Sequence, residues 1–207
     1  MDAALFARNV PGMTARLSAA VVGIAGCGGL GSNAAVALAR AGVGTLILAD
    51  PDRVALSDLN RQHFFQADLG RLKVEALAAH LRAIHPEIRL VTHATELTPR
   101  NLAALFAPAE LLIEAFDAAE SKQWLIEAWC HSYPERPLVC GSGLAGYGKT
   151  AALKVRSAGN LHVCGDEESD MRSGLCAPRV AIVANMQANV AIEVLMDRTP
   201  QAPGGAR

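Results

Sequence analysis

Aromatic side chains are scarce in this chain: Phe, Trp and Tyr make up 4% of 207 residues, although apolar residues reach 51%. Ala, Val, Leu, Ile and Gly must therefore fill the interior, and small aliphatic side chains suit helices laid closely on a sheet. An excess of charge of either sign is also missing, with 19 Lys and Arg against 20 Asp and Glu. That balance argues against a nucleic-acid-binding surface and excludes a polyanionic tail. The five cysteines (Cys27, Cys130, Cys140, Cys164, Cys176) include no C-x-x-C pair and are irregularly spaced. A disulfide framework and a structural zinc site built on such pairs are excluded, and reduced thiols are expected. The six histidines lack metal-ligand spacing. The first residues, MDAALFARNVPGM, lack a basic start followed by an apolar core and a cleavage site, so no secretory leader is expected. One uncharged run spans 17–39, but five glycines between Gly23 and Gly31, then Ser32 and Asn33, interrupt it and argue against a membrane span. A soluble cytoplasmic protein is the resulting expectation.

What is present alternates between two periodicities. The uncharged, β-branched segment 21–26 predicts a buried strand, 45–50 a second buried strand ending on an acid, 88–93 a third strand, 111–117 a strand that also ends on an acid, and 137–143 another, while 150–157 predicts a strand or hairpin arm. Helices are expected at 32–42, 73–86, near 99–106, at 119–132 and at 177–196. Segments 56–70 and 158–177 are expected to be irregular, and His80 and His85 to flank an exposed helix. The alternation predicts an α/β fold, a Rossmann-like, doubly wound and mainly parallel sheet with helices on both faces. A single domain is expected over 1–197, with an N-terminal arm or helix at 1–19 and a disordered tail at 198–207.

Gly26-Cys27-Gly28-Gly29-Leu30-Gly31 fits G-x-G-x-x-G between a predicted strand and a predicted helix. The first glycine permits the tight turn, the second lets backbone approach a phosphate, and the third allows close helix–strand packing. Asp50 ends the next strand, 19 residues after Gly31, where an acid binds ribose hydroxyls. These two features call for an adenosine nucleotide and do not distinguish NAD, FAD and ATP. The segment Asp50-Pro-Asp52 through Asn60-Arg61-Gln62, followed by Lys73, adds a basic cluster that hydride transfer does not require, which disfavours an NAD-dependent oxidoreductase.

With GxGGLGS at 26–32, AD-x-D-x-V at 49–54, LNRQ at 59–62, G-x-x-K at 70–73 and EAFD at 114–117, the chain resembles the ThiF/MoeB superfamily, to which ubiquitin-activating enzymes belong. The match is closest to a short form of ThiF, which its segments 175–180 and 187–189 also resemble. The resemblance implies ATP-dependent adenylation of the C-terminal carboxylate of a ubiquitin-like sulfur-carrier protein ending in Gly-Gly, for thiamine biosynthesis, with Mg²⁺ and in a homodimer. Activation of a molybdopterin-type carrier, or of a carboxylate on a modified tRNA base, is the alternative on the same scaffold. It further implies that Gly26, Gly28, Gly29, Gly31, Asp50, Asp52 and Gln62 hold nucleotide. Asn60, Arg61 and Lys73 would grip the triphosphate, and Asp117 would serve the Mg²⁺ end of the site. Arg8, with Arg16 as the alternative, would reach a partner subunit's nucleotide. Some relatives use a cysteine after adenylation, and Cys164 and Cys176 lie where such a residue could sit. Cys27 is expected to be a packing residue, and His63 could contact nucleotide.

Overall fold

The strands are Val21–Ala25 (β1), Thr45–Ala49 (β2), Arg89–His93 (β3), Leu111–Glu114 (β4), Leu138–Gly141 (β5), Lys154–Ala158 (β6) and Leu161–Gly165 (β7). The helices are Met13–Ser18 (α1), Gly29–Ala41 (α2), Lys73–Ile84 (α3), Leu102–Leu105 (α4), Ala119–Ser132 (α5) and Ala177–Asp197 (α6). This is a computed structural model, and it describes residues 4–198. The expected tail lies outside the described residues from 199 onward. The strands form one sheet in the order β3-β2-β1-β4-β5-β7-β6, parallel except for β6 against β7. The four buried strands β1, β2, β4 and β5 are covered on both faces, which is why they are continuous apolar runs without alternation.

On one face, α1, α2, α3 and α6 bury Leu17, Leu38, Leu77, Val183 and Leu195 against Val22, Ile24, Leu46, Leu48 and Ile113. On the other, α4 and α5 bury Phe106, Leu125 and Trp129 against Ile47, Leu112 and Leu138. The uncharged run at 17–39 is thus mostly β1 and α2. Helix α6 is long and apolar enough by composition to cross a membrane. In this fold it packs on α2 and the sheet through Val180, Val183, Ala184, Ala188 and Leu195.

Two expectations are corrected. The segment at 158–177 is not wholly irregular, because β7 runs through it, joined to β6 by a tight hairpin at Gly159 with φ +59°. The acidic stretch from Asp166 to Asp170 just beyond it hides the strand's signal. The histidines of α3 are not exposed. His85 is 1% exposed and meets Phe6 edge-on at 5.0 Å, and His80 places Nε2 3.0 Å from the buried Asp68 carboxylate.

The strand order runs outward from β1 to β2 and β3, then returns to β4 on the other side of β1. The crevice at the carboxyl ends of β1 and β4 is where such a sheet binds ligands.

Candidate functional site

A cavity of about 490 Å³ opens at that crevice, lined from the ends of β1, β2, β4 and β5. The glycine loop forms its floor. Gly26 has φ +94°, and a Cβ there would lie 2.9 Å from the Ala115 carbonyl oxygen. At Gly31 a Cβ would collide with the Gly26 carbonyl oxygen at 1.9 Å, so this glycine sets helix packing and lies beneath the cavity wall rather than on it. Helix α2 begins at Gly29, three residues earlier than expected, so the loop runs directly into it. The first-turn N–H groups of α2 lack intrahelical partners and favour an anion in the cavity.

Asp50 closes β2 and is 6% exposed. Its Oδ2 accepts the Cys27 N–H at 2.6 Å and its Oδ1 the Asp52 N–H at 2.8 Å, which fixes the carboxylate against the loop. Burial raises its pKa, with those two N–H groups and Lys73 opposing. Lys73, in the first turn of α3, places Nζ 3.0 Å from Asp52 and 3.9 Å from Asp58. Asp58 is a residue that sequence reasoning missed. It accepts the Ala55 N–H at 2.9 Å and the Gln62 Nε2–H at 2.9 Å, and so shapes the turn that carries Arg61. Arg61 donates to the Ser57 carbonyl at 2.9 Å and to Asn60 Oδ1 at 2.8 Å. Both are neutral acceptors, and no carboxylate among the described residues pairs with the guanidinium. Ser32 and Asn33, in the first turns of α2, tie this segment to the glycine loop. The Ser32 hydroxyl accepts the His63 N–H at 2.9 Å, and Asn33 Nδ2 donates to the Gly29 and Arg61 carbonyls at 2.7 and 2.9 Å.

The opposite wall comes from β4, α5 and the segments after β5 and β7. Asp117 is exposed, lines the cavity, and makes no hydrogen bond or ion pair with other described residues. It does not cap α5, whose N-cap is Ala118. Glu114 and Lys122, both missed by sequence reasoning, form a pair at 2.9 Å beside it. The signal for Glu114 was present in EAFD, which holds two acids with only one assigned a role. Beyond them, Asp166 accepts the N–H groups of Glu168 and Ser169 at 2.9 and 2.8 Å and pairs with the buried Arg179 guanidinium. This pair braces Ser169 and Met171 against the cavity.

Of the sequence-derived set, Gly26, Gly28, Gly29, Asp50, Asp52, Arg61, Gln62, Lys73 and Asp117 therefore meet in one cavity. Asn60 is exposed and holds Arg61 rather than lining the cavity. Arg8 is exposed on the arm, whose Phe6 packs on Gly42 and His85. These lie just before β2 and β3 begin, at the sheet edge away from the cavity. Arg16 donates to Glu110 at 2.7 Å and to the Leu195 carbonyl at 2.8 Å, so its guanidinium is committed within the chain. His63 does not line the cavity and packs with Phe65 and His80. Cys164 is fully buried in β7, with burial pushing its thiol up to about 12, which removes it as a nucleophile. Cys176 stands half-buried at the N-cap of α6. Cys27 is buried in the loop with its thiol pKa raised by burial and by Asp50, as fits a packing residue. Among the described residues, no group of three or more His, Cys, Asp or Glu side chains is placed to hold a metal ion.

Residues 4–205 match the model of the ThiF family. The chain is 33% identical over 179 residues to the sulfur carrier protein ThiS adenylyltransferase of Escherichia coli, covering 83% of this chain and 70% of that protein. It is 32% identical over 188 residues to the molybdopterin-synthase adenylyltransferase of the same organism, covering 87% and 75%. Against the adenylyltransferase and sulfurtransferase uba4 of Pyricularia oryzae, identity is 35% over 162 residues, and the aligned region is 78% of this chain but 31% of that protein. The chain thus spans about a third of the length of such two-activity relatives. Among solved structures, E. coli tRNA N6-threonylcarbamoyladenosine dehydratase in complex with ATP superimposes with a TM-score of 0.81 at 25% identity, over 94% of this chain and 91% of that one.

Proposed function

The chain belongs to the ThiF family, and from that premise we propose that it uses ATP to adenylate the C-terminal glycine carboxylate of a ubiquitin-like sulfur-carrier protein ending in Gly-Gly, the ThiS-type step that precedes sulfur transfer in thiamine biosynthesis. The observation that carries this reading is the meeting of Arg61 and Lys73 with the glycine loop, Asp50 and Asp117 around one cavity. A nicotinamide enzyme would need the loop and Asp50 but not two cations opposite a free carboxylate.

The chemistry follows from charge. A C-terminal carboxylate is ionised at pH 7 and needs no general base. It attacks the α-phosphorus of ATP, and pyrophosphate leaves with the bridging oxygen's electron pair. The barrier lies in bringing an anion onto a polyanion, so preorganised positive groups supply most of the catalysis. Arg61 offers a planar fork and Lys73 a point charge, complementary grips on the phosphates. The helix α2 N-terminus adds donors, and Asp50 takes the ribose hydroxyls. Asp117, whose carboxylate has no partner among the described residues, fits the role of holding Mg²⁺, which when bound would screen the charge of the phosphates. Arg8 does not line its own cavity, and in this reading it reaches the partner subunit's nucleotide in a homodimer. A cytoplasmic setting suits the reduced thiols this reading assumes.

A second substrate class, a carboxylate on a modified tRNA base, is favoured by the superposition on the tRNA-modifying dehydratase. The formal net charge of −1 weighs against it, since tRNA binding calls for a basic face.

ATP–pyrophosphate exchange with purified protein, Mg²⁺ and a diglycine-ending carrier tests the proposal. Exchange should require the carrier and vanish when its terminal glycine is removed. Exchange with a molybdopterin-type carrier alone moves the substrate within the same chemistry. Good ATP binding without exchange on any carrier sinks the protein-substrate reading.

A further inference from the structure

The turn that carries Asp117 is tied at both ends to one buried carboxylate. Glu114, the last residue of β4, is fully buried. Its Oε1 accepts the Phe116 N–H at 2.7 Å and lies 2.9 Å from Lys122 Nζ, and its Oε2 lies 3.0 Å from the same nitrogen. Its carbonyl oxygen is held in turn by Gln187 Nε2 at 2.8 Å, from α6. Phe116 precedes Asp117, and Lys122 stands in the first turn of α5, five residues after it. Asp117 itself has no partner among the described residues, so its direction depends on the backbone between these two anchors.

Resting on the reading of Asp117 as the Mg²⁺ and phosphate ligand, we propose that Glu114 and Lys122 are positioning residues that set the Asp117 carboxylate for the metal–nucleotide complex. Two features separate this from general packing. The Glu114 side chain is fully buried and that of Lys122 is 19% exposed, and replacing such a pair by hydrophobic residues of similar volume is often neutral or stabilising, so packing alone does not call for the charges. The Glu114–Lys122 pair also does what an apolar pair cannot, since one carboxylate receives a turn N–H and a helix ammonium together. Burial raises the Glu114 pKa, while Lys122 and the Phe116 N–H oppose that rise. Lys122 lines the cavity, but its ammonium is held by a fully buried carboxylate, whereas the nearest partner of Lys73, Asp52, is 63% exposed and free to turn away.

The test uses the full chain with Mn²⁺ as a spectroscopic stand-in for Mg²⁺. Two variants are compared with wild type, Lys122→Met and the double variant Glu114→Gln/Lys122→Met. The double variant leaves no unmatched charge and keeps an acceptor for the Phe116 N–H, and folding is checked by thermal melting. Binding of Mn²⁺ to the ATP-loaded protein, followed by electron paramagnetic resonance, should weaken by about tenfold in both variants, the scale seen when a group behind a metal ligand is removed. ATP affinity in EDTA should change by less than about twofold, and Lys122→Arg should restore Mn²⁺ binding. Unchanged Mn²⁺ binding in a folded double variant overturns the proposal, leaving the pair a packing feature. An equal loss of ATP affinity in EDTA also overturns it, making Lys122 a nucleotide contact. Asp117→Asn separates the two readings: if it leaves Mn²⁺ binding intact, the assignment of Asp117 fails, whatever the pair does.

Discussion

Lys73 and Asp52, 21 residues apart, meet at 3.0 Å and join the first turn of α3 to the segment after β2 at the wall of the cavity. Burial works to lower the lysine's pKa, but Asp50, Asp52 and Asp58 outweigh it and the net shift is upward. The ammonium therefore stays charged wherever the protein is folded at ordinary pH. Its side chain is 8% exposed, while that of Asp52 is 63% exposed, so Asp52 can turn to water when an anionic ligand takes its place.

Arg61 and Lys73 thus hold charge at the cavity by different means, and their removal should differ in kind. Arg61→Ala and Lys73→Ala should each lower adenylation at least about tenfold by loss of charge-assisted phosphate contacts. Arg61→Ala should leave the melting temperature nearly unchanged, since its bonds to Ser57 and Asn60 lie at the surface. Lys73→Ala should lower it, because Asp58 is left buried without its cation. Pyrophosphate exchange and thermal melting measured on the same preparations check both halves. Near-normal exchange in both variants refutes the site assignment.

Arg179 and Asp166 are buried together, with side chains 3% and 8% exposed. Removing one partner of such a pair costs about 3–5 kcal/mol, because the other charge is left without compensation. Arg179→Met should show that loss in urea unfolding at pH 7 and should weaken ATP binding through the Ser169–Met171 wall. The pH dependence has a definite sign. Desolvation pushes the Asp166 pKa up, but the Ser169 and Glu168 N–H groups and Arg179 outweigh it, and the net shift is downward from 3.8. The stabilisation is fully present above the unfolded pKa, about 3.9, and is lost as pH falls through the lower folded value. The gap between wild type and Arg179→Met should therefore narrow in acid.

The fold and the grouping of residues that line the cavity were legible because they rest on local signals. Continuous apolar runs mark buried parallel strands, and G-x-G-x-x-G between a strand and a helix marks the loop. Asp50, Arg61, Lys73 and Asp117 stand in motifs whose spacing survives in the linear chain. The supporting groups were not legible because their partners are remote in sequence. Asp58 matters through Lys73, and Asp166 through Arg179, and neither pair has a spacing that a periodicity reveals. Strand β7 was missed for a different reason: its hairpin partner β6 is adjacent, but the strand runs directly into the acidic stretch from Asp166 to Asp170. His85 sits on α3 at its end, where helical periodicity cannot tell an exposed position from one covered by Phe6 of the arm.

His85 should make stability fall in mild acid. Among the described residues neither ring nitrogen has a hydrogen-bond partner, and burial lowers its pKa from 6.5, with Glu87 opposing. Above the unfolded pKa both states are neutral and the residue adds no slope. As pH falls below about 6.5, the unfolded chain takes up a proton that the folded chain refuses, and stability drops until the folded pKa is reached. His63 and His162 are lowered in the same direction and add to the slope. Unfolding free energies of wild type and His85→Leu between pH 7.5 and about 5 should diverge, with the variant losing less. Parallel curves would mean that His85 is solvated in the native state.

The thiols should sort by burial. Cys27, Cys140 and Cys164 are buried, whereas Cys130 is exposed on α5 and Cys176 half-buried at the start of α6. Burial raises the thiol pKa of all three core cysteines, so little thiolate forms there at neutral pH. A disulfide reagent added to native protein should label Cys130 and Cys176 and reach the other three only after denaturation, as mass mapping would record. Adenylation needs no thiol, because the attacking group is a carboxylate. Cys176→Ala should therefore keep pyrophosphate exchange within about twofold of wild type, the range expected when no transition-state contact is removed. If exchange instead disappears in a folded Cys176→Ala protein, a thiol is required before or during adenylation, and the carboxylate-only chemistry proposed here is wrong. If exchange persists but sulfur delivery to the carrier stops, Cys176 acts after the adenylate, from its place beside the cavity-lining Leu175.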